Sequence, residues 1–112
     1  MYALLPQPEA EVLEVLTGVA SYYANSLAGR RTASGERYDP ASLVAAHRHL
    51  PFGTLLRVVN PANGRSVEVR VIDRGPFTQG RVLDVSRGAA EALGIIRQGI
   101  APVRIEVLSY GG

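Results

Sequence analysis

"TLLRVVNPANGRSVEVRVIDRGPF", Thr54 to Phe77, places two runs rich in β-branched residues on either side of NPANG and ends the second run in an acid, a base, a glycine and a proline. Asn63 and Gly64 are residue types that accept the positive φ angles of a tight turn, so the stretch reads as a β-hairpin. In its second arm Val67, Val69 and Val71 alternate with Glu68 and Arg70, giving one buried face and one wet face. The buried valines fix the end of the strand, where Asp73 and Arg74 emerge. There the chain either turns a corner or presents a carboxylate on a backbone restricted by Gly75 and Pro76.

Working outward, Gly18 to Ala24 (GVASYYA) reads as a first strand, followed by a long polar loop, NSLAGRRTASGERYDP, of a length that is usually functional or mobile. Asp39 before Pro40 is suited to cap a short helical turn, and LVAAH to form a short strand. Downstream, Ser86 is placed to cap a helix over Ala89 to Leu93 that Gly94 stops. In the last strand, APVRIEVLS, Val103, Ile105 and Val107 are expected inside, with Arg104 and Glu106 outside. The class is mainly β, with about six strands and one or two short helices, and closure into a barrel removes the exposed edges of so many short strands.

The 112 residues, 46% of them hydrophobic, suffice for one domain around one core. Residues 1–16, with two prolines and three glutamates, read as a tail, a linker or a loosely attached strand, and residues 17–112 as the folded domain. With no tryptophan, the core must be built from Val, Leu, Ile and Ala. A formal charge of +2 from scattered basic residues argues against a nucleic-acid partner, which calls for a clustered basic face. The absence of cysteine excludes disulfides, thiolate metal sites and a cysteine nucleophile. No stretch approaches the roughly 20 apolar residues of a membrane span, and MYALLPQPEAEVLEVL has neither the basic n-region nor the long apolar h-region expected of a signal peptide.

Few groups remain for chemistry. Asp73, at the rim of an apolar strand, is a candidate general acid, the alternative being a carboxylate that bonds loop amides or pairs with Arg74. Glu36 sits on the long loop, near a cleft or simply solvated. His47 and His49, one residue apart, raise a metal pair, but the remaining ligands would have to be carboxylates. No metal is expected; His47 is read as a hydrogen-bond partner at a strand end and His49 as exposed. Asp84 in VLDVS reads as structural, holding loop amides or Arg87.

GVASYYA, GRRTASGERYDP, AAHRHLPFGTLLRVVN, NGRSVEVRVIDRGPF, GRVLDVSRGAAEALG and PVRIEVL occur in the order and spacing of one family. From Gly18 to Leu108 the chain resembles the catalytic domain of the rare lipoprotein A family, septal lytic transglycosylases with a double-psi β-barrel. The pair AAHRHLPFGT and VRVIDRGPF carries the resemblance most specifically.

The resemblance implies endolytic cleavage of the β-1,4 bond between N-acetylmuramic acid and N-acetylglucosamine in peptidoglycan, leaving 1,6-anhydromuramic ends. It assigns catalysis to Asp73, Glu36 and His47, with no cofactor. Tyr22 and Tyr23 would offer a surface for a sugar ring or pack the barrel end. Arg74 would meet an acidic lactyl or peptide carboxylate or form a salt bridge. The expected partner is the peptidoglycan glycan strand, the expected state a monomer, and the expected place the bacterial envelope, periplasmic or at the outer membrane, with the export signal outside this chain. The lipid-bearing N-terminal cysteine and the C-terminal glycan-binding repeat domain that some members of the family carry do not fall within these 112 residues. The rival is an expansin-like module that binds wall glycans without cutting them. A barwin-like protein lacks its disulfides here, and an aspartic protease lacks the hydroxyl residue after its acid and a second copy.

Overall fold

In a computed structural model that describes residues 11–111, the alternating segments become six strands and one helix. The strands are Glu14–Tyr22 (β1), Val44–Ala46 (β2), Leu55–Asn60 (β3), Arg65–Asp73 (β4), Arg81–Val85 (β5) and Ile100–Ser109 (β6). The helix is Arg87–Leu93 (α1), and a 3-10 turn at Asn25–Leu27 interrupts the long loop. The strands close in the order β1-β5-β2-β4-β3-β6. The β1–β5 and β2–β4 pairs are parallel and the other four antiparallel, which makes the double-psi β-barrel.

The hairpin of β3 and β4 forms in the expected register, with Leu56 opposite Val69 and Val58 opposite Val67. Val67, Val69 and Val71 are buried with Leu56, Val58, Leu83, Val85 and Ile105 in one core. Of the turn pair Asn63 and Gly64, only Gly64 takes the left-handed conformation, at a φ of 74°. Asn63 keeps an ordinary backbone and works through its side chain, which accepts from the Arg65 amide and donates to the Leu93 carbonyl.

Several boundaries differ from expectation. The first ten residues of the tail lie outside the described residues, but Glu14 to Leu16 already pair with β6. Strand β1 ends at Tyr22 because Tyr23, after a last backbone bond to Val85, turns to stack on Tyr38 at 4.5 Å between centroids. At Asp39–Pro40 the capped turn is a single hydrogen-bonded one: Asp39 accepts from the Ala41 amide with its side chain and from Ser42 with its carbonyl. Glu106 is buried rather than exposed, because Arg57 at 2.5 Å and Arg104 at 3.1 Å neutralise it.

Helix α1 starts at Arg87, under the predicted cap. Ser86 accepts from the Ala89 amide, and its hydroxyl also donates to the Ser42 carbonyl, so the cap ties the helix to the turn that precedes β2. Gly94 stops the helix at a φ of 72°. Gly18 has a packing reason: a Cβ there would lie 2.6 Å from a Val82 methyl, so β1 and β5 cross at that point only without a side chain.

Candidate active site

Strand β2 is the short central strand of the site. Its last residue, Ala46, is the register partner of Asp73 on β4 and of Asp84 on β5. The two carboxylates therefore flank one small residue. Both line the same cavity of about 330 Å³, with Tyr22, Tyr23 and Phe77 among its walls. A second cavity, of about 160 Å³, adjoins it on the far side of Tyr23 and Asp73 and is bordered by Arg30, Arg31 and Thr32.

Asp73 is bonded on both oxygens. Oδ1 accepts from the Ala33 amide at 2.8 Å and from its neighbour Arg74's amide at 2.9 Å. Oδ2 accepts from the Tyr23 hydroxyl at 2.5 Å. Burial pushes the Tyr23 hydroxyl far above the ordinary tyrosine range, donation to Asp73 adds to this, and the charges of Asp73 and Asp84 act in the same direction. Tyr23 is thus a fixed hydrogen donor, and its ring is held face to face by Tyr38.

Glu36 does not reach Asp73. It grips Arg70 on β4 with both oxygens, at 2.7 and 2.9 Å, and Arg70's hydrogen bonds hold its carboxyl below the usual range. The turn that carries Glu36 does reach the site. Ser34 donates its amide to the Ile72 carbonyl, Thr32 and Glu36 close the turn, and Ala33 is thereby set on Asp73.

His47 follows β2, and its amide donates to the Asp73 carbonyl. Its ring is buried and turned back on its own loop, where Nδ1 accepts from the amides of His49 and Leu50 at 3.2 and 3.1 Å. Burial, reinforced by the nearby charges of His49, Arg48 and Arg74, lowers it to about 4. His47 is neutral at physiological pH, with its proton on Nε2. His49 is exposed and meets His47 edge-on at 4.9 Å. Among the described residues no three His, Cys, Asp or Glu side chains converge as metal ligands do.

Arg74 clamps the same loop. Its guanidinium donates to the carbonyls of His47 and Leu50 and lies 4.0 Å over the Phe52 ring. Tyr22 lines the larger cavity and anchors its hydroxyl on the Ile96 carbonyl. Asp84, read from sequence as a holder of loop amides or Arg87, holds neither: it accepts from the buried Ser21 hydroxyl across the β1–β5 ladder and faces the cavity. Its only sequence signal is an acid inside the apolar run VLDV. Also unforeseen are the Ala33 amide, Tyr38, and Phe77, which projects from the cavity rim 78% exposed.

The family model for lytic transglycolases matches residues 15–105 of the chain, nearly the whole barrel with both carboxylates. The chain belongs to the lytic transglycolase family. Over 109 residues it is 58% identical to a family relative from Nostoc sp. named "Probable endolytic peptidoglycan transglycosylase RlpA", covering 95% of this chain and 29% of that protein. It is 47% identical over 98 residues to the endolytic peptidoglycan transglycosylase RlpA of Campylobacter jejuni, covering 88% of this chain and 36% of the other. The chain thus spans about a third of the length of these family relatives. Among solved structures, the Clavibacter michiganensis expansin superposes with a TM-score of 0.65 at 28% identity, over 84% of this chain and 50% of that one.

Proposed function

We propose that this domain is an endolytic lytic transglycosylase that cuts peptidoglycan glycan strands between N-acetylmuramic acid and N-acetylglucosamine. The observation that carries this reading is the place of Asp73 between two adjoining cavities, with Tyr23 as the wall they share. A linear glycan has room on both sides of the carboxylate, as cutting within a strand requires.

In this reading Asp73 delivers a proton to the O4 oxygen of the departing N-acetylglucosamine as the C1–O4 bond breaks. The muramic C6 hydroxyl then adds its oxygen to C1, and its proton returns to Asp73. One proton is lent and one recovered, no water is consumed, and no cofactor is called for. Tyr23 and the Ala33 and Arg74 amides hold the carboxylate in line. Glu36, through Arg70, and His47, through its loop, act as positioning residues, and Arg74 fixes the loop bearing His47. Tyr22 borders the sugar. The domain works as a monomer on peptidoglycan in the bacterial envelope, to which it is exported.

The likeness to an expansin favours a second reading, a module that binds wall glycans without cutting them. Solubilisation of purified peptidoglycan, before and after amidase treatment, separates the two. The chain is expected to release soluble fragments, and Asp73→Asn to lower the rate by about 10²- to 10⁴-fold, the range of a positioned acid–base group, while still sedimenting with the wall. Sedimentation without any release by the unaltered chain favours the binding module.

A further inference from the structure

An oxocarbenium-like centre at C1 needs negative charge nearby, and Glu36, expected from sequence near the site, has its charge neutralised by Arg70 outside both cavities. The larger cavity holds another carboxylate. Asp73 and Asp84 are the partners of Ala46 on its two sides, which separates their Cα atoms by two strand spacings of about 4.8 Å, or roughly 10 Å. That span leaves space for a sugar ring between the two side chains over the small Ala46. Asp84 accepts one hydrogen bond, from Ser21, and no other protein donor among the described residues reaches it. The Ser21 hydroxyl is buried and fixed in the β1 ladder, so it aims the carboxylate.

We propose that Asp84 is a second catalytic carboxylate of this site, contacting the muramic ring opposite Asp73 and stabilising the positive charge that grows at C1. The inference rests on the transglycosylase reading above and assigns Asp84 no proton or bond of its own. Asp73 exchanges the proton, and Asp84 supplies fixed charge in a partly desolvated cleft, where such charge acts most strongly.

The test compares the unaltered chain with Asp84→Asn and Ser21→Ala on amidase-stripped glycan, with kcat, KM and thermal midpoint measured for each. Asparagine keeps the shape and can still accept from Ser21, so Asp84→Asn is expected to lower kcat by about 10²- to 10³-fold. KM should move by less than about threefold and the product ends should stay 1,6-anhydro. Ser21→Ala, which keeps the carboxylate but frees it to swing, is expected to lower kcat about tenfold. A kcat for Asp84→Asn within about twofold of the unaltered chain, or a loss lying wholly in KM, overturns the proposal. If Asp84→Asn does not fold, Ser21→Ala decides: reduced kcat at unchanged KM supports the assignment, and unchanged kcat overturns it. Absence of anhydro ends from the unaltered chain would instead overturn the transglycosylase reading, and this inference with it.

Discussion

Asp73 is held by the Ala33 and Arg74 amides and the Tyr23 hydroxyl before any sugar arrives. Each donor is itself fixed, so the carboxylate is in place at no further entropic cost on binding. His47 supports the neighbouring loop by a different means: a buried neutral ring whose Nδ1 stands in for a backbone carbonyl. Its pH dependence follows from that. The ring sits at about 4 in the folded protein against about 6.5 when unfolded. Above 6.5 both states are neutral and the contribution is complete. As the pH falls from 6.5 towards 4 the unfolded chain takes up the proton first, and stability is lost through that window. The loss is on the order of 3 kcal/mol. Urea unfolding of the unaltered chain and of His47→Asn, which can accept from the same amides, should show the unaltered chain's advantage shrinking by about that amount between pH 7 and pH 4. An advantage that stays constant with pH would contradict this account of the ring.

At the scale of elements, the turn from Thr32 to Glu36 is what connects the long loop to β4. The Glu36–Arg70 pair is half exposed, so it adds less than about 1 kcal/mol to stability. Its effect is geometric, since it secures the turn that brings Ala33 to Asp73. Glu36→Gln should therefore lower turnover by about ten- to a hundredfold with little change in the thermal midpoint. The exchange of charges in Glu36→Arg with Arg70→Glu should recover most of the rate. Failure of the exchanged pair, with the fold intact, would mean that Glu36 acts on the sugar directly. This pairing illustrates what the sequence conceals. The β3–β4 hairpin and the caps of α1 were legible because their signals are local: a two-residue alternation, a serine before the helix and a glycine after it. Glu36 and Arg70 are joined across 34 positions, and no spacing rule links a loop glutamate to a wet strand face. Glu106 was misplaced for the same reason, since its alternation points outward and its burial rests on Arg57, from another strand, together with Arg104.

For the whole molecule, closure of the barrel brings the ends of β1, β2, β4 and β5 to one side, and there the site is built. Motif order pointed to the barrel and to Asp73. It did not reveal that Asp84 faces the same cavity, because this depends on both β4 and β5 pairing with β2 at Ala46, a register set by long-range packing rather than by neighbouring residues. The fold itself is shared with an expansin, so architecture does not decide between cutting and binding, and the site must. The most direct measurement is the mass of the sugar at the newly formed ends when the chain acts on peptidoglycan. Transfer to the C6 hydroxyl predicts 1,6-anhydromuramic ends that disappear with Asp73→Asn. Reducing ends, heavier by one water, would contradict it and make the domain a hydrolase.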